Sequence, residues 1–268
     1  MIGDQFGDVT VALDGDSVAT VELHRPPTNY FDVALIRSLA EAYEALDADG
    51  RCRAIVLCSE GKHFCAGADF AGASVRGRGG GEREGGEPEG AGALYREAVR
   101  LFATATPVVA AVQGAAIGGG LGLACSADFR VAGPGARFSA NFARLGFHHG
   151  FGLSVTLPAI VGQQRALELL YTGQRLDGAQ AAEIGLCDRL VGAAEVRAEA
   201  RALAVSIAGS APLAVRSIRA TMRGGLADAV RVATERELAE QQRLQQTADW
   251  SEGIRAAAER RPPRFEGR

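Results

Sequence analysis

Lysine is almost missing from this chain of 268 residues: Lys62 stands alone against 28 arginines among 29 basic positions. That scarcity removes one function class at once. A P-loop needs Gly-Lys followed by Ser or Thr, and Gly61-Lys62 is followed by His63. No apolar run approaches the roughly 20 residues that span a bilayer, and Met1-Ile2-Gly3-Asp4-Gln5 has neither the basic nor the apolar region of a secretory signal, so a cytoplasmic location is expected. The five cysteines (Cys52, Cys58, Cys65, Cys125 and Cys187) contain no C-x-x-C pair, and no Cys/His cluster has zinc spacing. Their odd number and apolar settings read as reduced core residues, and no metal is expected. A net charge of −3 provides no polycationic surface for nucleic acid or an anionic membrane.

What is present is ordinary globular material, 47% hydrophobic and 23% charged, long enough to bury a full core as one large domain or a domain with a small appendage. Val9 to Leu13 and Val18 to Leu23 alternate around Asp14-Gly15-Asp16 and predict a hairpin. Leu35, Ile36, Leu39, Tyr43 and Leu46 recur at helical spacing within Val33 to Asp47. Strand patterns at Arg53 to Cys58, Val108 to Val112 and Phe129 to Ala132 alternate with helix patterns near Gly92 to Ala105 and from Gly119, which predicts an α/β core. From about Ala193 the pattern is helical, including Ala211 to Arg223 and the charged stretch Leu226 to Gln246. Residues 77–92 are half glycine, with only charged side chains, Pro and Ala besides, and are expected to form a mobile loop. Glu82 or Glu84 could reach a nearby site from it as a base.

The most informative stretch runs from Val108 to Ala124, where an apolar strand leads into Gly118-Gly119-Gly120 and a small-residue helix. Glycine permits positive φ and lets a ligand approach the backbone, and a helix starting there points unpaired N–H groups and its positive end outward. An oxyanion or phosphate would be stabilised; a tight strand-to-helix turn is the plainer reading. A dinucleotide fingerprint is excluded, because Leu123 stands where G-x-G-x-x-G needs its third glycine. A second such turn follows the strand at Arg53 to Cys58, as Phe64-Cys65-Ala66-Gly67-Ala68-Asp69.

These two turns resemble the F-x-A-G-x-D and G-G-G turns of the crotonase (enoyl-CoA hydratase/isomerase) superfamily. The resemblance extends to Arg25-Pro26-Pro27-Thr28-Asn29, Ala127 to Ala132, Leu170-Tyr171-Thr172-Gly173 with Ala179 to Leu186, and Glu252-Gly253-Ile254 with Glu259 to Phe265, nearly the whole chain. It implies an α/β fold, a spiral of ββα repeats over residues 1–195, followed over 196–268 by a helical region that builds a homotrimer or dimer of trimers and could close over a neighbouring site. It also implies that one N–H from each turn, carried over as Ala66 and Gly119, holds the thioester oxygen of an acyl-CoA as it becomes an enolate or oxyanion. Such donors are worth about 3–4 kcal/mol each in barrier lowering.

The two glutamates of the hydratases are absent: their positions are Gly122 and Phe142. Neither can accept a proton from water or donate one to carbon, so hydration is disfavoured against isomerisation, hydrolysis, C–C cleavage or decarboxylation. At Gly150 the dienoyl-CoA isomerases of the family carry an aspartate, and at His149 the family usually has proline. His148 and His149 are therefore the candidate acid/base groups, imidazoles titrating near pH 6.5. His63, His24 and Cys65 are weaker candidates, while Asp128 reads as structural. Coenzyme A is expected as part of the substrate rather than as a cofactor, with Arg25, Ala68, Asp69 and Arg260 as its contacts; Asp69 could alternatively cap a helix. Two further readings stay open: an acyl-CoA-binding protein without catalysis, and a pocket for a non-CoA carbonyl compound such as a β-diketone.

Overall fold

A computed structural model describes residues 4–68 and 91–268, so Asp69, Glu82, Glu84 and the glycine-rich segment up to residue 90 lie outside the described residues. Strands β1 (Gln5–Phe6), β2 (Val9–Leu13), β3 (Val18–Leu23), β4 (Ala54–Ser59), β5 (Val108–Val112), β7 (Phe129–Ala132) and β10 (Arg189–Leu190) form one sheet in the order β1-β2-β3-β4-β5-β7-β10. Strands β6 (Ala115–Ile117), β8 (Arg137–Ser139) and β9 (Arg175–Asp177) form a second, smaller one. The hairpin β2–β3 is antiparallel, and from β3 to β10 the large sheet is parallel. Every residue of β4 and β5 is buried, as expected of parallel strands covered on both faces.

One face is covered by α1 (Val33–Ala48) and α2 (Ala91–Ala103). Asp32 starts α1 by accepting the Leu35 N–H at 2.9 Å. The opposite face, with Val56, Cys58, Val109, Ala111 and Val131, receives Val196, Ala200, Ala204 and Ala208 of α7 (Val196–Ala208), a stripe at four-residue spacing. The boundary expected at 195/196 is thus not a packing boundary: the first helix of the predicted tail closes the core of the large sheet. The tail proper is α8 (Pro212–Met222), α9 (Leu226–Leu244) and α10 (Ala248–Ala258).

The strand predicted to run into the glycine triplet ends at Val112. Gly114, at φ +59, turns the chain from β5 into β6 in the other sheet, and a Cβ there would meet the Lys62 carbonyl at 2.1 Å. Helix α3 (Gly119–Ser126) then starts from Gly118 at φ +58. A 3-10 helix (Asn141–Leu145) precedes α4 (Leu153–Val161), α5 (Gln163–Thr172) and α6 (Gly178–Glu183). Among the described residues no helix is long and apolar enough to cross a membrane.

Candidate active site

Asn29 organises the first donor turn. It is fully buried at φ +48; its Nδ2 donates to the carbonyls of Glu60 (2.8 Å) and His63 (2.6 Å), and its Oδ1 accepts the Arg25 N–H (2.9 Å). The turn is then stitched to the link between β5 and β6 and to the start of β6, with Phe64 N–H on Gln113 O (2.7 Å) and Cys65 N–H on Ala115 O (2.8 Å). Here one expectation is corrected. The Ala66 N–H donates to Thr28 O at 2.9 Å and is not free to hold a ligand oxygen, although Ala66 lines the cavity. The Gly67 N–H faces the Cys65 sulfur. The next amide, that of Ala68, has no acceptor among the described residues.

The second turn presents Gly119. Its neighbour Gly118 donates to Ser139 O (2.8 Å), whereas the Gly119 N–H opens α3, where no intrahelical acceptor exists. Glycine is required there: a Cβ on Gly119 would lie 2.3 Å from the Phe31 ring, and one on Gly120 would lie 2.1 Å from Cys65 O. The two turns touch, since a Cβ on Gly67 (φ +91) would lie 2.8 Å from Ile117 O and 3.8 Å from the Gly119 nitrogen.

Ala68 and Gly119 share a cavity of about 730 Å³ walled by Tyr30, Phe31, Tyr95, Phe142, Phe147 and Phe151. Helices α9 and α10 of the same chain complete it through Gln241, Ile254 and Arg255. No carboxylate or imidazole lines it among the described residues. Phe142 is part of the wall, and the Phe151 side chain fills the room that a side chain at Gly122 would need.

His148 and His149 do not line this cavity. Their rings stack on each other at 4.1 Å, His148 Nδ1 lies 2.8 Å from the His149 carbonyl, and His149 Nε2 lies 2.9 Å from Ser154 Oγ. Burial, then the neighbouring His148, depresses the His149 pKa to about 4. Ser154 Oγ in turn donates to Glu237 Oε1 (2.6 Å). Glu237 also accepts the N–H groups of Ser154 (3.0 Å) and Gly152 (2.9 Å). It is fully buried and serves α4 as a cap supplied from α9, since Gly152 has no side chain to cap with. The charged pattern of Leu226 to Gln246 gave no sign of it.

The remaining candidates are held elsewhere. Arg25 is ion-paired with Asp8 (2.6 Å) and Asp32 (2.9 Å), Arg260 is exposed after the end of α10, and neither lines the cavity. Arg255, which the sequence reading passed over, is the cation lining it among the described residues. His63 accepts the Ala115 N–H through Nδ1 (3.2 Å), and burial lowers its pKa. His24 bridges Thr10 Oγ1 (2.8 Å) and Glu60 Oε2 (2.9 Å). Cys65 is fully buried, and its thiol is pushed up to about 12 by burial. Asp128 ties the sheet to α8, accepting Val108 N–H (2.8 Å) and the guanidinium of Arg219 (3.0 Å).

A two-sheet fold thus brings two backbone amides without an acceptor among the described residues to the wall of one largely apolar cavity. The chain belongs to the enoyl-CoA hydratase/isomerase family, whose model matches residues 14–268. It is 35% identical over 260 residues to the "Putative enoyl-CoA hydratase" of Thermus thermophilus, covering 95% of this chain and 100% of that one. It is 32% identical over 257 residues to the carnitinyl-CoA dehydratase of Proteus mirabilis, covering 94% and 96%. The crystal structure of an enoyl-CoA hydratase/isomerase from Pseudoalteromonas atlantica superposes with a TM-score of 0.83 at 29% identity, covering 97% of this chain and all of that one.

Proposed function

We propose that this protein binds an acyl-CoA thioester with its carbonyl oxygen between the N–H groups of Ala68 and Gly119, and stabilises the enolate or tetrahedral oxyanion that forms there. The observation that carries the reading is the pair of amides at one cavity wall that find no acceptor among the described residues. Preorganised donors of this kind act where negative charge develops and need no reorganisation during reaction. Coenzyme A enters as part of the substrate.

The reaction is an isomerisation, hydrolysis or C–C cleavage rather than standard hydration. Support comes from the two places at which hydratases hold glutamates: one is filled by the Phe151 ring and the other carries Phe142. Hydration needs a base for water and an acid for the α-carbon, and hydrocarbon supplies neither. The aromatic wall suits a bulky apolar acyl group. We also infer that the subunits assemble as a trimer or dimer of trimers, a reading supported by apolar side chains left outward on α8, Leu213 at 82% and Met222 at 78% exposure.

A second reading, an acyl-CoA-binding protein without catalysis, draws on the same two lost glutamates. Calorimetry with a panel of acyl-CoA thioesters, together with solvent deuterium exchange at their α-carbons, separates the two. Binding with exchange is expected; tight binding without exchange on every thioester selects the binding protein. Equal affinity for free coenzyme A and its thioesters removes the acyl pocket from the account.

A further inference from the structure

We propose that the Tyr95 hydroxyl is the proton donor of this cavity, standing where a side chain on residue 150 would begin. The proposal rests on the enolate reading above and adds the group that returns a proton to carbon.

Three separate parts of the chain converge on this hydroxyl. Tyr95 comes from α2, is 8% exposed and lines the cavity. Its oxygen accepts the backbone N–H of Phe151 and donates to Gln241 Oε1 of α9 at 2.8 Å. Gln241 is itself oriented, its Nε2 donating to the His148 carbonyl at 3.0 Å. A Cβ on Gly150 would come within 1.9 Å of the Tyr95 oxygen and 2.6 Å of Gln241 Nε2. The absence of a side chain at 150 is therefore what admits the phenol. Phe151, whose amide holds this oxygen, is also the residue whose ring closes the space beside Gly122. Of two neighbouring places for an acid or base, one is hydrocarbon and the other is a phenol.

The environment holds the proton on the phenol, which makes it a weaker acid than a free tyrosine but still a far stronger one than the α-carbon of a thioester. Burial, then the charge of Glu237, raises the phenol above its ordinary value, so it stays protonated across the neutral range. In the step, the electron pair of the enolate Cα takes the Tyr95 proton: the O–H bond breaks, a C–H bond forms, and the thioester C=O is restored as charge leaves the Ala68 and Gly119 amides. The phenolate left behind keeps the Phe151 N–H and regains a proton from water, so the net change is one solvent proton delivered to carbon. Run in reverse, the phenolate form takes the α-proton of a bound thioester to give the enolate, so exchange at the α-carbon reports both directions of this one transfer.

The test uses the full chain and phenylacetyl-CoA, whose benzylic α-protons report enolate formation. Deuterium entry at its α-carbon is followed in D2O alongside calorimetric affinity and the urea midpoint. Tyr95→Phe is expected to slow exchange about 100-fold, within the range of a lost general acid, with Kd changed less than threefold. The double variant Tyr95→Ala/Gly150→Asp, which puts a carboxylic acid in the vacated space, is expected to recover at least a tenth of the wild-type rate. Exchange in Tyr95→Phe at the wild-type rate overturns the proposal. So does a loss matched by an equal loss of affinity with no recovery in the double variant, the pattern of a scaffold residue. Wild-type protein that binds the thioester but never exchanges overturns the enolate reading itself, a failure distinct from that of Tyr95.

Discussion

Phe151 and Gly122 exclude each other's side chains: a Cβ on Gly122 would lie 2.6 Å from the Phe151 Cβ and 2.9 Å from its ring. In an ordinary helix, replacing glycine by alanine gains about 0.5–1 kcal/mol. Here the clash outweighs that gain, because overpacking a closed core costs about 1–3 kcal/mol. Gly122→Ala is expected to lower the stability measured by urea unfolding, and unchanged or raised stability would show that Phe151 yields easily. Gly122→Glu alone is expected to create no hydratase activity towards crotonyl-CoA.

Asn29 is a second point of leverage. Asn29→Ala leaves two carbonyls and the Arg25 amide without their partner, in a buried setting. Each such group costs about 1–3 kcal/mol when unsatisfied, with incomplete additivity, so a net loss of about 2–4 kcal/mol is expected. Because the same side chain holds the loop that presents Ala68, acyl-CoA turnover should fall at least tenfold at temperatures where the variant is still folded. Full turnover in a folded Asn29→Ala protein would show that the turn holds itself.

Glu237→Gln keeps the shape of the buried cap and removes its charge. The helix N-terminus loses its attraction for an anion, and Ser154 Oγ loses a charged acceptor, together about 1–2 kcal/mol. Hydrogen exchange of the Gly152 and Ser154 amides should accelerate before the rest of α4 responds. Uniform acceleration over all helices would assign the effect to global stability instead.

The acid side of the stability curve has a predictable sign. His149 and His63 both titrate below the usual imidazole value when folded. Between about pH 6.5 and 4 the unfolded chain therefore binds protons that the folded one refuses, and stability falls as pH falls through that window. Above about pH 6.5 the contribution is fully present. Urea midpoints at pH 7 and pH 5 should differ less in His149→Gln than in wild type, with the residue of the slope belonging to His63. An unchanged slope in His149→Gln would mean that its ring charges freely in the fold.

The large elements were legible because their signals are local. The hairpin Val9–Leu13/Val18–Leu23 and strands Val108–Val112 and Phe129–Ala132 fall where alternation and apolar runs placed them, and α1 ends one residue past its expected limit. The site was legible to the level of the two turns, whose glycines declare close backbone approach. It was not legible to the level of the atom. Ala66 was the expected donor, but its amide meets Thr28 O, a carbonyl 38 residues earlier in the chain, and the amide without an acceptor among the described residues is two residues on. The histidine pair followed the Phe142 loop in sequence, yet their rings stack outside the cavity lining, with His149 beside Ser154.

Residue type and spacing alone determined that this chain has an α/β core and that its backbone is laid bare at two glycine turns; the resemblance of its motifs to the enoyl-CoA hydratase/isomerase family added that Gly122 and Phe142 stand where hydratases carry glutamates. Those properties depend on neighbours a few positions apart, through steric freedom at glycine and the period of apolar side chains. Which amide is free, which ring fills the place beside Gly122, and that Tyr95, Gln241 and Glu237 meet around residues 150–154 were decided by tertiary structure. A hydrogen bond is satisfied by whatever the fold brings within about 3 Å, and the partners here lie tens of residues away along the chain.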